Sequence, residues 1–303
     1  MELKKILRVV LFWVGIGFIS WLAFHSWGEI QSYLSVVDWF LFGFSVVVAV
    51  LSNVVISAIF WNLLLKHNVD VSYLKTIRLF FTAQIAKYIP GKVWVIAHQV
   101  SSIQKEGVVL GVAMANIELM MILVVMSLLS SAILYAFITS FFFVVPVLFI
   151  GGFIVWFFIK YNFLGLVLRV FSRFERKNRK ENECGEMAFG FLGIAFCYVV
   201  FVILYIASYL LMLYSVFGFS FDESVLYIIS LSLAWVVGLV AFVVPGGVGV
   251  REVLFIATAG LIGQGVEVEV LVSIAVISRV WLMMQEVVGV AGALLIPDGK
   301  IKS

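Results

Sequence analysis

Charge is scarce in this 303-residue chain. Asp, Glu, Lys and Arg make up 12% of it and hydrophobic residues 64%, whereas ordinary soluble domains carry about 25% charged residues. With a mean hydropathy of +1.19, the composition excludes a soluble protein, or a soluble protein on one anchor, and requires a polytopic membrane protein. The longest polar stretch is Lys160–Glu186, too short for a separate catalytic domain. Cysteine is nearly absent, and Cys184 and Cys197 give neither a disulfide framework nor a metal spacing. Cys197 sits in an apolar segment and reads as a small packing residue. His25, His67 and His98 are far apart and form no closely spaced pair. No metal site and no cofactor are expected. A phosphate-binding loop is also missing, since neither Gly91-Lys92 nor Gly299-Lys300 has the required frame. Glu118 and Glu286 could supply acid–base groups, but no nucleophile–base pair accompanies them, so no enzymatic activity is expected.

What is present is a series of apolar runs separated by short charged segments. Basic Met1–Arg8 precedes the run Val9–Phe24, which is either a signal peptide or a retained first span. Trp13 and Trp21, and the lack of a small-x-small cleavage site, favour retention. The linker His25–Asp38 carries Glu29 and Asp38 but no Lys or Arg, which places it outside under the positive-inside rule. A span over about Trp39–Leu65 returns to Lys66, Lys75 and Arg78, inside. Further spans are expected over about Val108–Ala136, Phe141–Ile159, Ala188–Val216 and Val270–Ile296. Lys160–Glu186 contains seven basic residues and marks the cytoplasmic side most strongly. Asp222-Glu223 and Gln264–Glu269 mark the outside. Both termini are then cytoplasmic.

Two segments do not fit simple spans. Leu79–Gln104 breaks at Pro90-Gly91, and Val225–Gly263 breaks at Pro245-Gly246-Gly247-Val248-Gly249. Proline lacks an N–H, and glycine allows backbone angles that other residues resist. Counting spans from the basic loop returns each broken segment to the face it came from. The two faces are opposite, so each segment is either a re-entrant pair of half-helices or a kinked span. Pro90-Gly91-Lys92-Val93-Trp94-Val95 and Pro245-Gly246-Gly247-Val248-Gly249-Val250 share a Pro-Gly-x-Val-x-Val pattern at an offset of 155 residues, and Ala86 matches Ala241. Opposite insertion of matched segments outlines an inverted-topology repeat, an arrangement that places substrate sites near the bilayer midplane. The expected fold is an all-α integral membrane protein, a single domain over 1–303 with about six full spans plus two broken segments. Repeat 1 covers about 39–137, repeat 2 about 188–296, and the basic loop 160–186 joins them.

Lys87, Lys92, Glu118, Arg251, Glu252, Arg279 and Glu286 lie within apolar sequence. Each costs about 2.5–3.5 kcal/mol at the centre of a spanning helix. Arg279 and Glu286 are seven residues apart, on one helical face. One reading makes Lys87, Lys92, Arg251 and Arg279 a cationic lining for a phosphate or other anionic lipid headgroup, with the half-helix N-terminus adding N–H groups. Glu252, Glu118 and Glu286 then balance charge or carry protons. The other reading makes all seven structural ion pairs. Gly107 and Gly111 are either a close-packing face or a turn, and the many Phe and Trp residues read as lipid-facing or interfacial.

The element Pro245–Glu252 (PGGVGVRE), followed by a span with Ile277-Ser278-Arg279, resembles the lysylphosphatidylglycerol synthase transmembrane (flippase-like) family. Tyr88–Trp94 and Asn116-Ile117-Glu118 resemble its N-terminal half. The resemblance implies a membrane module that translocates lipids, some relatives accompanying polyprenyl-linked glycosyltransferases. No aminoacyl-transferase domain follows within these 303 residues, so a stand-alone module is expected, and Leu119 stands where the family often has Arg. The expected function is movement of an anionic or phosphate-bearing lipid across the cytoplasmic membrane. The alternative is a non-transporting partner of a lipid-modifying enzyme. Expected partners are membrane lipids, such an enzyme or a glycosyltransferase, and a second copy of the chain in a homodimer; no nucleic acid is expected.

Overall fold

The structure is a computed structural model that describes residues 24–87, 93–103, 107–139, 187–240, 249–262 and 266–297, with positions 17, 20, 21 and 247. Most of the expected first span, the span Phe141–Ile159, the basic loop, and the breaks Pro90-Gly91 and Pro245-Gly246 lie outside the described residues. Nine helices are described: α1 (Trp27–Ser35), α2 (Trp39–Lys66), α3 (Tyr73–Ala86), α4 (Val93–Ile103), α5 (Val109–Thr139), α6 (Phe191–Phe217), α7 (Phe221–Val240), α8 (Val250–Ile262) and α9 (Val268–Leu294). No strand occurs among the described residues.

Five helices are long and apolar enough to cross a membrane: α2, α5, α6, α7 and α9. The chain is a multi-pass membrane protein. Four of these correspond to expected full spans. The fifth, α7, was expected as the first arm of a broken segment, yet its 20 residues reach about 30 Å at 1.5 Å per residue, the thickness of the hydrocarbon core. By the same rule the 14 residues of α3, the 11 of α4 and the 13 of α8 reach only about 21, 17 and 20 Å.

Local chemistry sets the ends of these helices. The Asp38 carboxylate accepts from the N–H groups of Phe40 and Leu41 at 3.0 Å, capping α2, and the Ser72 hydroxyl accepts from Lys75 to start α3. Gly218, with φ +65°, ends α6 in the left-handed conformation that glycine adopts at least cost. The linker before α2, expected as a loop, is largely the helix α1. It is tied down through Tyr33, whose ring lies 4.7 Å from that of Phe217. Gly107 (φ +76°) makes a turn, whereas a Cβ on Gly111 would fall 2.8 Å from the His67 carbonyl. The two glycines therefore serve the turn and the close approach separately.

Helices α2 and α6 pack antiparallel along their length. The Asp38 N–H donates to Ser215 O at one end, and Asn62 exchanges two hydrogen bonds with the Phe189 backbone at the other. Both broken segments fold back on themselves. Thr82 of α3 meets His98 of α4 at 3.0 Å, and Gly238 of α7 touches Arg251 of α8. The α3–α4 hairpin opens toward the end holding Lys66, Lys75 and Arg78, and the α7–α8 hairpin toward the end holding Asp38, Asp222, Glu223 and Glu267. Each hairpin covers half of α9. Glu252 and Gly260 of α8 lie on Arg279 and Leu271, while Phe81 and Arg78 of α3 lie on Gly289 and Ile296.

Two apolar cores result. One joins Phe42, Val46 and Ala49 of α2, Met212 and Leu213 of α6, Ile228 of α7, Phe255 of α8 and Ile274 of α9. The other joins Ile56 to Leu64 of α2, Phe80 and Phe81 of α3, Ile103 of α4, Val112 and Ala115 of α5, Tyr198 of α6 and Ala293 of α9. Among the described residues, α2, α6 and α9 are the helices that contribute buried apolar side chains to both. Aromatics are not confined to the lipid-facing surface as expected, since Phe60, Phe255 and Trp281 are at most 1% exposed. Trp39 and Phe40 at the acidic end do face outward.

Candidate functional site

Between the two cores the through-going helices change character. Asn53 of α2 falls between Ala49 and Ile56. Tyr205 of α6 falls between Tyr198 and Tyr209. Gln285 and Glu286 of α9 fall between Trp281 and Ala293. Polar side chains stand among apolar ones at one level of all three helices, and a cavity of about 170 Å³ with mostly apolar walls opens there. Lys87, the C-cap of α3, extends into this level and donates to Glu286 and, at 3.4 Å, to Gln84. Lys87 and Glu286 are the charged residues of the lining.

The second break builds the adjoining wall. Gly247 (φ +66°) and Gly249 (φ +85°) both need the left-handed backbone region that disfavours a Cβ. The Glu252 side chain then reaches back to accept from the Gly249 N–H at 2.7 Å. This is the reciprocal half of a capping box, with glycine in the place of Ser or Thr. The second oxygen of Glu252 lies 3.7 Å from the Arg279 guanidinium, with the two side chains only 6% and 8% exposed. One carboxylate thus closes the start of α8 and compensates a buried arginine. The Gly249 N–H, expected to be open to an anionic headgroup, is already taken.

Arg251 passes through a slot made by glycine. A Cβ on Gly238 would fall 2.4 Å from Arg251 Cγ, and one on Gly247 would fall 3.2 Å from both Cγ and Cδ. The guanidinium lies against the Tyr209 hydroxyl, which accepts from Tyr205 at 3.2 Å. The Tyr209 ring packs 4.7 Å from Trp281, whose indole N–H donates to Ser45 at 2.8 Å. Arg251, Glu252 and Arg279 line a crevice of about 10 Å³, at the lower limit for one water. Leu282 lines both spaces, and Arg251 and Arg279 both act electrostatically on Lys87.

The structure therefore brings Lys87, Glu286, Arg251, Glu252 and Arg279 together around the middle of α9. It places Glu118 elsewhere. That carboxylate is 3.0 Å from Lys66 Nζ and 3.2 Å from His67 Nε2, at the basic end. Its helix begins only nine residues earlier, at Val109, so the end of α2 supplies its partners. Gly247 and Gly249 are described as above, while Lys92, Pro90, Gly91, Pro245 and Gly246 lie outside the described residues. Sequence reasoning missed Asn53, Gly238, Tyr205 and Tyr209, and it gave the polar residues Gln84 and Gln285 no role in the site. The tyrosines carry a readable signal, since 198, 205 and 209 share one helical face. Gly238 does not, because its role depends on a residue across the hairpin.

The family model described as the lysylphosphatidylglycerol synthase TM region matches residues 5–284. No curated protein and no solved structure matches the chain.

Proposed function

The chain belongs to the lysylphosphatidylglycerol synthase transmembrane family, and from that premise we propose a flippase-like role. The protein moves an anionic or phosphate-bearing lipid, either a phospholipid or a polyprenyl-phosphate-linked lipid, across the cytoplasmic membrane. The cavity between the two apolar cores, mostly apolar in its walls but holding Lys87, Glu286 and several amides and hydroxyls, carries this reading. A headgroup needs hydrogen-bond partners at the depth where lipid offers none, and irregular backbone at that depth is tolerated where it lines such a space. Lys87 supplies the cation inside the cavity. Arg251 and Arg279 stand behind it as planar donors suited to phosphate, and Lys92 is assigned the same role from its place in the sequence. Glu286 and Glu252 hold the cations while the site is empty, and Glu118 balances charge or carries a proton at the basic end. The acyl chains stay in the surrounding bilayer.

Orientation follows the charges. The basic end faces the cytoplasm, together with both termini, and the acidic end faces outward. Residues 39–137 and 188–296 form the two inverted repeats, a reading supported by hairpins that open toward opposite ends. The test is reconstitution into vesicles with a fluorescent lipid and a headgroup-accessibility quench. The protein accelerates exchange between leaflets, and an Arg251→Ala, Arg279→Ala double variant that still folds loses most of that acceleration. Unchanged exchange in the double variant removes the site assignment. No exchange with folded wild-type protein instead favours a non-transporting partner of a lipid-modifying enzyme or glycosyltransferase.

A further inference from the structure

The cavity wall made by α5 and α6 is built differently from the rest of the bundle. Among the five described spans these two are the least buried. Ser127, Ser130 and Leu134 of α5 and Tyr198, Phe201 and Tyr205 of α6 line the cavity from this side. On the faces turned away from it, Leu128 and Ile203 are exposed, so a single layer of helix separates the cavity from lipid. Helix α5 is fastened at its two ends. At the basic end Glu118 is held by Lys66 and His67, and Asn116 donates to Gln99 of α4 at 2.7 Å. Toward the acidic end Ala136 is fully buried and Leu134 packs on the first core. Between these points, at the level of the cavity, Ser130 meets Tyr198 of α6. Ser130 already donates to Met126 O at 2.7 Å, so the Tyr198 hydroxyl is the donor to Ser130 Oγ. At 3.5 Å that contact is at the limit of hydrogen bonding.

The same level is where α5 bends most easily. Ser130 and Ser131 donate to the carbonyls of Met126 and Ser127, four residues earlier. Such side chains compete with the helix's own hydrogen bonds and bend it. A weak contact across the seam thus coincides with a hinge in one of its two helices. We propose that the seam between α5 and α6 is a lateral door of the cavity. Helix α5 bends at Ser127–Ser131, Tyr198 parts from Ser130, and the cavity opens sideways into the hydrocarbon of the bilayer. The mostly apolar walls suit that direction. Opening them to hydrocarbon strands little polar surface, whereas opening them to water exposes apolar surface at about 25 cal/mol per Å². The door serves whatever occupies the cavity, so it goes beyond the lipid-moving reading without depending on it.

The test uses the full-length protein in lipid nanodiscs, with Cys184 and Cys197 changed to Ser. Spin labels on Leu128→Cys and Ile203→Cys report the α5–α6 separation by double electron–electron resonance. Two separations are expected. Tyr198→Phe removes the contact to Ser130 and should raise the ratio of the longer to the shorter about twofold, the low end of what one hydrogen bond contributes. Ser131→Ala removes a helix-bending bond outside the cavity lining and should lower that ratio. It keeps the test decisive even where Tyr198→Phe does not fold. In a second readout without spin labels, Ser127→Cys should react faster with an apolar maleimide dissolved in the bilayer once Tyr198→Phe is added. Its reaction with a charged, water-soluble thiol reagent should stay the same. A single separation that neither variant moves overturns the proposal. Faster reaction with the charged reagent alone also overturns it, because the cavity would then open to water. Neither readout involves lipid exchange, so loss of the transport reading leaves this test standing.

Discussion

Arg279 and Glu286 stand two turns apart on α9, and each is met by the opposite charge from a different break in the chain. Glu252, beside the second break, faces Arg279. Lys87, beside the first, faces Glu286. The two hairpins come from opposite ends of the molecule, so α9 is where they are registered against each other. Lys87 and Glu286 are 199 residues apart in the chain, whereas Glu252 and Arg279 both belong to its C-terminal third.

The deeper pair is sensitive to loss of one partner. Glu252→Ala removes both the cap on Gly249 and the charge facing Arg279, and is expected to destabilise the protein by about 3–5 kcal/mol. Glu252→Gln keeps an acceptor for the Gly249 N–H and should recover about 1 kcal/mol of that loss. Thermal unfolding in detergent, followed by intrinsic fluorescence, separates the two. Identical melting of both variants would show that the cap contributes nothing.

Lys87 and Glu286 are more exposed, and their coupling should be smaller. Lys87→Met and Glu286→Gln are each expected to cost about 1–3 kcal/mol, with the double variant less destabilised than the sum. A double-mutant cycle on unfolding measures this directly. Additive losses would mean that the pair contributes no net coupling.

Gly238→Ala places a methyl 2.4 Å from Arg251 Cγ and should destabilise by about 1–3 kcal/mol as an overpacked site. Gly43→Ala on α2 meets nothing within 4 Å and should be neutral or stabilising by up to about 1 kcal/mol. The difference between two chemically identical changes reports the slot. A Gly238→Ala protein that unfolds like Gly43→Ala would mean that the Arg251 stem moves aside freely.

Glu118→Gln is expected to lower stability through Lys66 and His67 while leaving lipid binding unchanged, whereas Glu286→Gln changes binding. Lipid retention and melting measured on both variants decide the matter. Lost binding in Glu118→Gln would connect the basic end to the cavity.

Composition and charge made much of this architecture readable. Four spans lie where apolar runs of the right length predict them, and Asp38, Asp222 and Glu267 gather at one end because helices of that length must alternate. The ionisable residues in apolar sequence also pointed to the middle of α9, since a charge there needs a partner. What stayed hidden depends on register between elements distant in sequence. Nothing near Glu118 shows that α2 ends beside it. Nothing near Gly238 shows that Arg251 crosses it, and nothing in Gln84 or Gln285 shows that their carbonyl oxygens meet Lys87 and Asn53. The full-length first arm of the second hairpin was missed because the break drew attention away from α7, which satisfies the length criterion by itself.

The division into two apolar cores has a mechanical consequence. Three rods carry buried packing past the level of the cavity, where Asn53, Tyr205, Gln285 and Glu286 interrupt the hydrocarbon and an open space takes the place of close contact. Side chains that meet through a few directional bonds resist shear less than a close-packed interior does. The waist is therefore the level at which the packing opposes displacement least, and the three unbroken helices that cross it are what holds the two ends in line.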